Sequence, residues 1–108
     1  MNENEIKIKF KKVRDGAIVP TYAKAGDAGC DLYSLEEFIL EPGDICVVHT
    51  GIAVEIPVGY EGQIRSRSGK AIKEGLVVVN PPGTIDSGYR DEIKVGIINL
   101  SKNMAYIG

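Results

Sequence analysis

The sequence is poor in cysteine, histidine, long apolar runs and helical periodicity, and each shortage removes a class of function. It holds two cysteines and one histidine in 108 residues. Cys30 and Cys46 form no CxxC pair, and His49, three residues after Cys46, is the single histidine, too few ligands for a zinc site of the usual spacing. They read instead as small buried hydrophobes. No stretch approaches the about 20 consecutive apolar residues of a membrane-crossing helix, so no membrane partner is expected. The opening, MNENEIKIKF, is charged and polar, unlike a secretory leader, and a reducing cytoplasm is the expected setting. Lysine and arginine number 13 against 15 aspartates and glutamates, a net charge of −2, which excludes general affinity for nucleic acid.

What is present is a period of two. IKIKF alternates Ile6, Ile8 and Phe10 with lysines, GIAVEI alternates Ile52, Val54 and Ile56, and EIKVGI alternates Ile93, Val95 and Ile97. Each pattern predicts a strand with one face in a core. LVVV at 76–79 is continuously apolar, as in a strand buried on both faces. Turn signals separate these runs: EPGD (41–44), PVGY (57–60), NPPG (80–83) and DSG (86–88). No twelve-residue segment has the pattern of an amphipathic helix, and SLEEF (34–38) offers one turn at most. Short strands with frequent glycine turns predict an all-β sandwich, barrel or jelly roll. A chain of this length is one domain, residues 1–108, and buries roughly 65% of its unfolded surface. NMAYI (103–107) reads as a strand that begins just before the sequence stops, so a fragment, or a missing tail, is expected.

Three stretches could carry chemistry. RSRSGKAIK places Arg65, Arg67, Lys70 and Lys73 within nine residues of an acidic chain, which suits a small anionic ligand. Arg67 offers a bidentate fork to phosphate oxygens, Ser68 a hydroxyl, and Gly69 room for backbone N–H groups to approach. The competing reading is a solvated loop. In AGDAGCDLYS, Asp31 could face a hydrated metal or serve as a turn residue. In TIDSGY, read as strand, tight turn and strand, Asp86 could cap its own turn or, on a stiff hairpin, take a proton from water. Tyr89 offers a flat ring for a sugar or base, and the backbone around Gly83, Thr84 and Ile85 offers hydrogen bonds along a base edge.

The order of these stretches resembles the trimeric deoxyuridine triphosphatase (dUTPase) family. AGCDLYS resembles that family's first motif, SRSGKA its second and NPPGTIDSGYRDEIKVGIIN its third, from about Ala28 to Asn99. The resemblance implies a jelly-roll-like, distorted β-barrel subunit in a homotrimer with active sites between subunits. It implies cleavage of dUTP to dUMP and pyrophosphate, with Mg2+ held mainly by the triphosphate. Asp86 matches the aspartate that positions and deprotonates the attacking water. Tyr89 matches the tyrosine packed on the deoxyribose; Asn80, Thr84 and Ile85 match the uracil pocket, with Gly83 beside them, and Lys94 its edge. Arg67, Ser68 and Gly69 match a phosphate loop supplied by a neighbouring subunit. Asp31 matches an aspartate that touches the metal's waters.

The sequence departs from the family pattern in places. Ser66 stands where proline is usual, Lys70 where an apolar residue is usual, and Asp91 where glycine is usual. The family's fourth motif and its glycine-rich fifth motif do not occur within these 108 residues. A dCTP deaminase relative would need a glutamate base further along the third-motif strand, where this chain has Gly96; Glu92 lies too early. A dUTPase-like nucleotide sensor without turnover is the alternative from another class. His49, within DICVVHTGIAV, is given no catalytic role.

Overall fold

Alternating apolar residues become strands here, but in short pieces joined by many turns. The computed structural model describes residues 6–107. The first five residues of the charged opening, MNENE, and Gly108 lie outside the described residues. The described chain forms β1 (Lys9–Lys12), β2 (Phe38–Leu40), β3 (Ile45–His49), β4 (Ile52–Glu55), β5 (Gly62–Ile64), helix α1 (Ser68–Glu74), β6 (Leu76–Val78), β7 (Gly83–Ile85), β8 (Lys94–Asn99) and β9 (Ala105–Ile107). The pairs are antiparallel and build four small sheets: β1–β4, β2–β9, β3–β8–β6 and β5–β7. This is the expected all-β class. NMAYI does supply a strand, β9, which pairs with β2.

Two apolar clusters hold the sheets together. Ala17, Ile52, Val54, Ile56 and Ile93 form the first, flanked by Phe10, Leu32, Leu35, Ile64, Ile85 and Val95. Leu40, Leu76 and Ala105 form the second, beside Cys46, Ile97 and Ile107. Cys30 and Cys46 are half-buried free thiols, and burial pushes the Cys46 thiol up from its ordinary pKa. Asn99 is fully buried and acts as a polar knot. Its amide donates to Leu40 O at 2.9 Å and Asn103 O at 2.8 Å, and its Oδ1 accepts from Ser101. A buried side chain so fully bonded fixes the path from β8 into β9.

Four expectations change. Ile6 and Ile8 are exposed and lie before β1, so within IKIKF only Phe10 turns toward the core. LVVV is not buried on both faces: β6 is an edge strand bonded only to β8, and Val79 beyond it is 42% exposed. SLEEF makes a bend in which Ser34 Oγ bonds the Glu36 backbone, not a helical turn. The basic stretch contains a helix that no periodicity announced, because α1 buries none of its residues. Its signals are local instead. Lys70 pairs with Glu74 one turn on at 3.0 Å, and Gly75 ends the helix at φ 70, donating back to Ala71 O. A Cβ on Gly75 would also stand 2.8 Å from Ser101 N, so both conformation and space select glycine there.

Candidate active site

The third-motif stretch was expected to be a hairpin, and it is not one. β7 pairs with β5, Gly62 opposite Ile85 and Ile64 opposite Gly83. β8 pairs with β3 and β6. The link between β7 and β8 therefore bridges two sheets, and the sheets part to leave a cleft. The reason lies in the packing: Ile64 and Ile85 join the first core cluster alongside Val95, so each strand follows a different neighbour across that core.

This cleft has a volume of about 190 Å3 and is lined by Ile64, Val78, Asn80, Gly83, Thr84, Ile85, Asp86, Tyr89, Ile93, Lys94 and Val95. It gathers Asn80, Gly83, Thr84, Ile85, Asp86, Tyr89 and Lys94, as the sequence led us to expect. Gly83 keeps the cleft floor close to β5, since a Cβ there would sit 3.3 Å from Ile64 Cβ, a tight contact that the isoleucine would have to ease. The turn at Asp86 is closed by Tyr89 N donating to Asp86 O at 3.0 Å, with the Arg90 guanidinium donating to Ser87 O. Among the described residues the exposed Asp86 carboxylate makes no hydrogen bond, so it does not cap its turn and its oxygens remain open to a ligand.

Arg67, Ser68, Gly69 and Asp31 do not line this cleft. Arg67 and Asp31 are brought near one another, Nε to Oδ1 at 3.9 Å, with the arginine 68% exposed. Asp31 is placed by an isolated bridge to Thr21, its N–H donating to Thr21 O at 2.8 Å. Ser68 and Gly69 open the exposed first turn of α1. Ser66 anchors its neighbours: its Oγ accepts the Val78 N–H at 2.9 Å and ties the arginine segment to β6. Among the described residues no three histidine, cysteine or carboxylate side chains converge as a metal cage.

A polar cluster that the sequence did not disclose adjoins the loop that carries Tyr89. The Glu92 side chain is only 9% exposed, yet its carboxylate accepts from Arg14 Nε at 2.9 Å, from the Gly51 N–H at 2.8 Å and from His49 Nδ1 at 2.9 Å. Burial by itself raises the Glu92 pKa. The bonds from His49, Gly51 and Arg14 outweigh it and hold the carboxyl below the ordinary glutamate value. The Glu92 carbonyl in turn accepts the Tyr89 hydroxyl at 2.7 Å. The available signal was a carboxylate directly before the buried Ile93, but nothing local pointed to partners at Arg14 and His49.

The dUTPase family model matches residues 15–108. The chain belongs to the dUTPase family. A deoxyuridine 5'-triphosphate nucleotidohydrolase of Clostridioides difficile is 51% identical over 96 residues, covering 89% of this chain and 67% of that protein. The dUTPase from phage phi11 of S. aureus, one mutant of which reveals how a structural Mg(II) ion is coordinated, superposes with a TM-score of 0.82 at 35% identity over 89% of this chain and 61% of the phage chain. A mutant dUTPase of Staphylococcus bacteriophage 80alpha, solved with dUpNHpp, gives a TM-score of 0.81 at 37% identity over 88% of this chain and 55% of its own. This dUTPase-family chain thus spans about two thirds of the bacterial relative and less of the phage enzymes. No helix among the described residues is long and apolar enough to cross a membrane.

Proposed function

We propose that the chain is a dUTP diphosphatase, which cleaves dUTP to dUMP and pyrophosphate by in-line attack of water at the α-phosphorus. The observation that carries this reading is the Asp86 carboxylate, unbonded among the described residues, on a cleft shared with Asn80, Thr84, Ile85 and Tyr89. The cleft is smaller than the roughly 300–1,000 Å3 usual for drug-sized ligands, so it suits the base and sugar and leaves the phosphates at its mouth. Backbone groups of Thr84 and Ile85 and the Asn80 amide meet the uracil edge. Cytosine reverses the donor pattern and would leave buried polar groups unpaired. The Tyr89 ring closes on the deoxyribose, and Lys94 marks the edge of the pocket. Asp86 orients the water and accepts its proton as the oxygen bonds to phosphorus and pyrophosphate departs.

Arg67, Ser68 and Gly69 lie outside this chain's own cleft, as they would if they served a neighbouring subunit's site in a homotrimer. The outward face of the β3–β8–β6 sheet favours such assembly: Ile45 and Val47 on β3 are 60% and 54% exposed, an apolar strip suited to a second copy. A lone carboxylate, Asp31, beside a guanidinium fits a magnesium ion that stays on the triphosphate and keeps its waters, with Asp31 reaching those waters. When bound, Mg2+ would neutralise charge on the phosphates.

The test is incubation of the purified chain with Mg2+ and equal dUTP, dCTP, dTTP and UTP, followed by separation of products. Release of dUMP and pyrophosphate from dUTP alone is expected. Hydrolysis without preference would defeat the reading, and selective dUTP binding without turnover would move it to a nucleotide sensor.

A further inference from the structure

We propose that Glu92 is a positioning residue for sugar selection: its mostly buried, triply bonded carboxylate clamps the main chain that sets the angle of the Tyr89 ring. This rests on the nucleotide reading above and adds a residue to it. Glu92 is no candidate for the base, because its side chain does not line the cleft and is spent on Arg14, His49 and Gly51.

The clamp runs through consecutive residues. The Glu92 carboxylate takes the Gly51 N–H, and the next residue, Ile93, donates its N–H to Ile52 O at 2.7 Å. Ile93 O accepts from Thr50 Oγ1 at 2.7 Å and from Thr50 N at 3.4 Å. The turn between β3 and β4 thus grips both residues. That turn is itself fixed, since Gly51 adopts φ 69 and a Cβ there would stand 2.8 Å from Ala17 Cβ. Tyr89 lies in the linking loop, outside every sheet. Its backbone N–H bonds Asp86 O at 3.0 Å and its hydroxyl bonds Glu92 O at 2.7 Å. The ring is held at both ends, and the far end is only as steady as the Glu92 main chain. Excluding one 2′-hydroxyl depends on the ring not yielding, and an aromatic ring whose hydroxyl is bonded to a main chain held by the Glu92 contacts yields less than one packed on solvent.

The experiment compares binding of α,β-imido dUTP and α,β-imido UTP by calorimetry, alongside thermal midpoints, in wild type, Tyr89→Phe, Arg14→Met, Glu92→Gln and Glu92→Ala. Tyr89→Phe keeps the ring and removes its tether, and should cut the deoxy-over-ribo preference by about tenfold. Glu92→Ala should do the same. Glu92→Gln, which still offers an oxygen to Gly51 and Arg14, should restore most of the preference. Arg14→Met, at a half-exposed position, should fall between and should fold if Glu92→Ala does not. Adding Tyr89→Phe to Glu92→Gln should cost nothing beyond Tyr89→Phe alone, because both act through one contact. A preference unchanged in Tyr89→Phe and Arg14→Met overturns the proposal while leaving the nucleotide reading intact. A merely structural Glu92 would lower midpoints without moving the ratio, and that result also overturns it. Equal binding of the two analogues by the wild type defeats the nucleotide reading itself, and the clamp's role in selection with it.

Discussion

Two carboxylates close the same loop from opposite ends, and the chain treats them in opposite ways. Asp86, at the end of β7, is exposed and makes no hydrogen bond among the described residues; its turn closes without its side chain. Glu92, just before Ile93, is mostly buried, its side chain 9% exposed, and accepts three hydrogen bonds from elements far away in sequence. A carboxylate whose oxygens are all engaged can hold a structure but cannot take a proton from a substrate water. One left open can do the second and adds little to the first. On the proposed reading the loop separates reactivity from support within a few residues, with Tyr89 bonded to both, its N–H to Asp86 O and its hydroxyl to Glu92 O.

Breaking the reactive end should give the largest effect on rate. Asp86→Asn should lower dUTP turnover by about 10²–10⁴-fold, with dUTP binding kept and the denaturation midpoint unmoved; an undiminished single-turnover rate would remove Asp86 from the mechanism. Breaking the support end should act on stability first. Glu92→Ala strands the buried Gly51 N–H and should cost about 1–3 kcal/mol in urea unfolding. The pH dependence sharpens the contrast. Because the folded Glu92 carboxyl titrates below the ordinary glutamate value, its contribution is present above the unfolded pKa and is lost as pH falls through the folded one. The stability gap between wild type and Glu92→Gln should therefore be widest at neutral pH and shrink below about pH 4.3, and a gap that widened on acidification would contradict the assignment. The smallest effect is expected at the cleft floor. Gly83→Ala brings a methyl to 3.3 Å from Ile64 Cβ and should weaken dUTP binding a few-fold with a stability change within about 1 kcal/mol.

The same contrast explains what could be read from the sequence. Turns were legible because their causes are local. EPGD closes with Asp44 N donating to Glu41 O and PVGY with Tyr60 N donating to Pro57 O, each within four residues of chain. The cleft residues were legible because they cluster in the third motif. The partner of β7 was not, since pairing with β5 rather than β8 is decided by Ile64 and Ile85 meeting a shared core. Helix α1 escaped notice because it has no buried face. The Glu92 cluster escaped because a glutamate at the head of a strand looks solvated until a turn far earlier in the chain folds over it; Gly51 and Glu92 are 41 residues apart.

The pairing of β2 with β9 also sets a schedule. Phe38 faces Ile107 and Leu40 faces Ala105, so the cluster of Leu40, Leu76 and Ala105 joins residues made early to residues made late. Such distant contacts offset chain entropy only once both ends are in place. During synthesis the cover that Ala105 and Ile107 give Leu40 and Leu76 must therefore wait until β9 has left the ribosome. In that interval the nascent chain carries an open strand edge at β2, a natural target for holding chaperones and for mispairing.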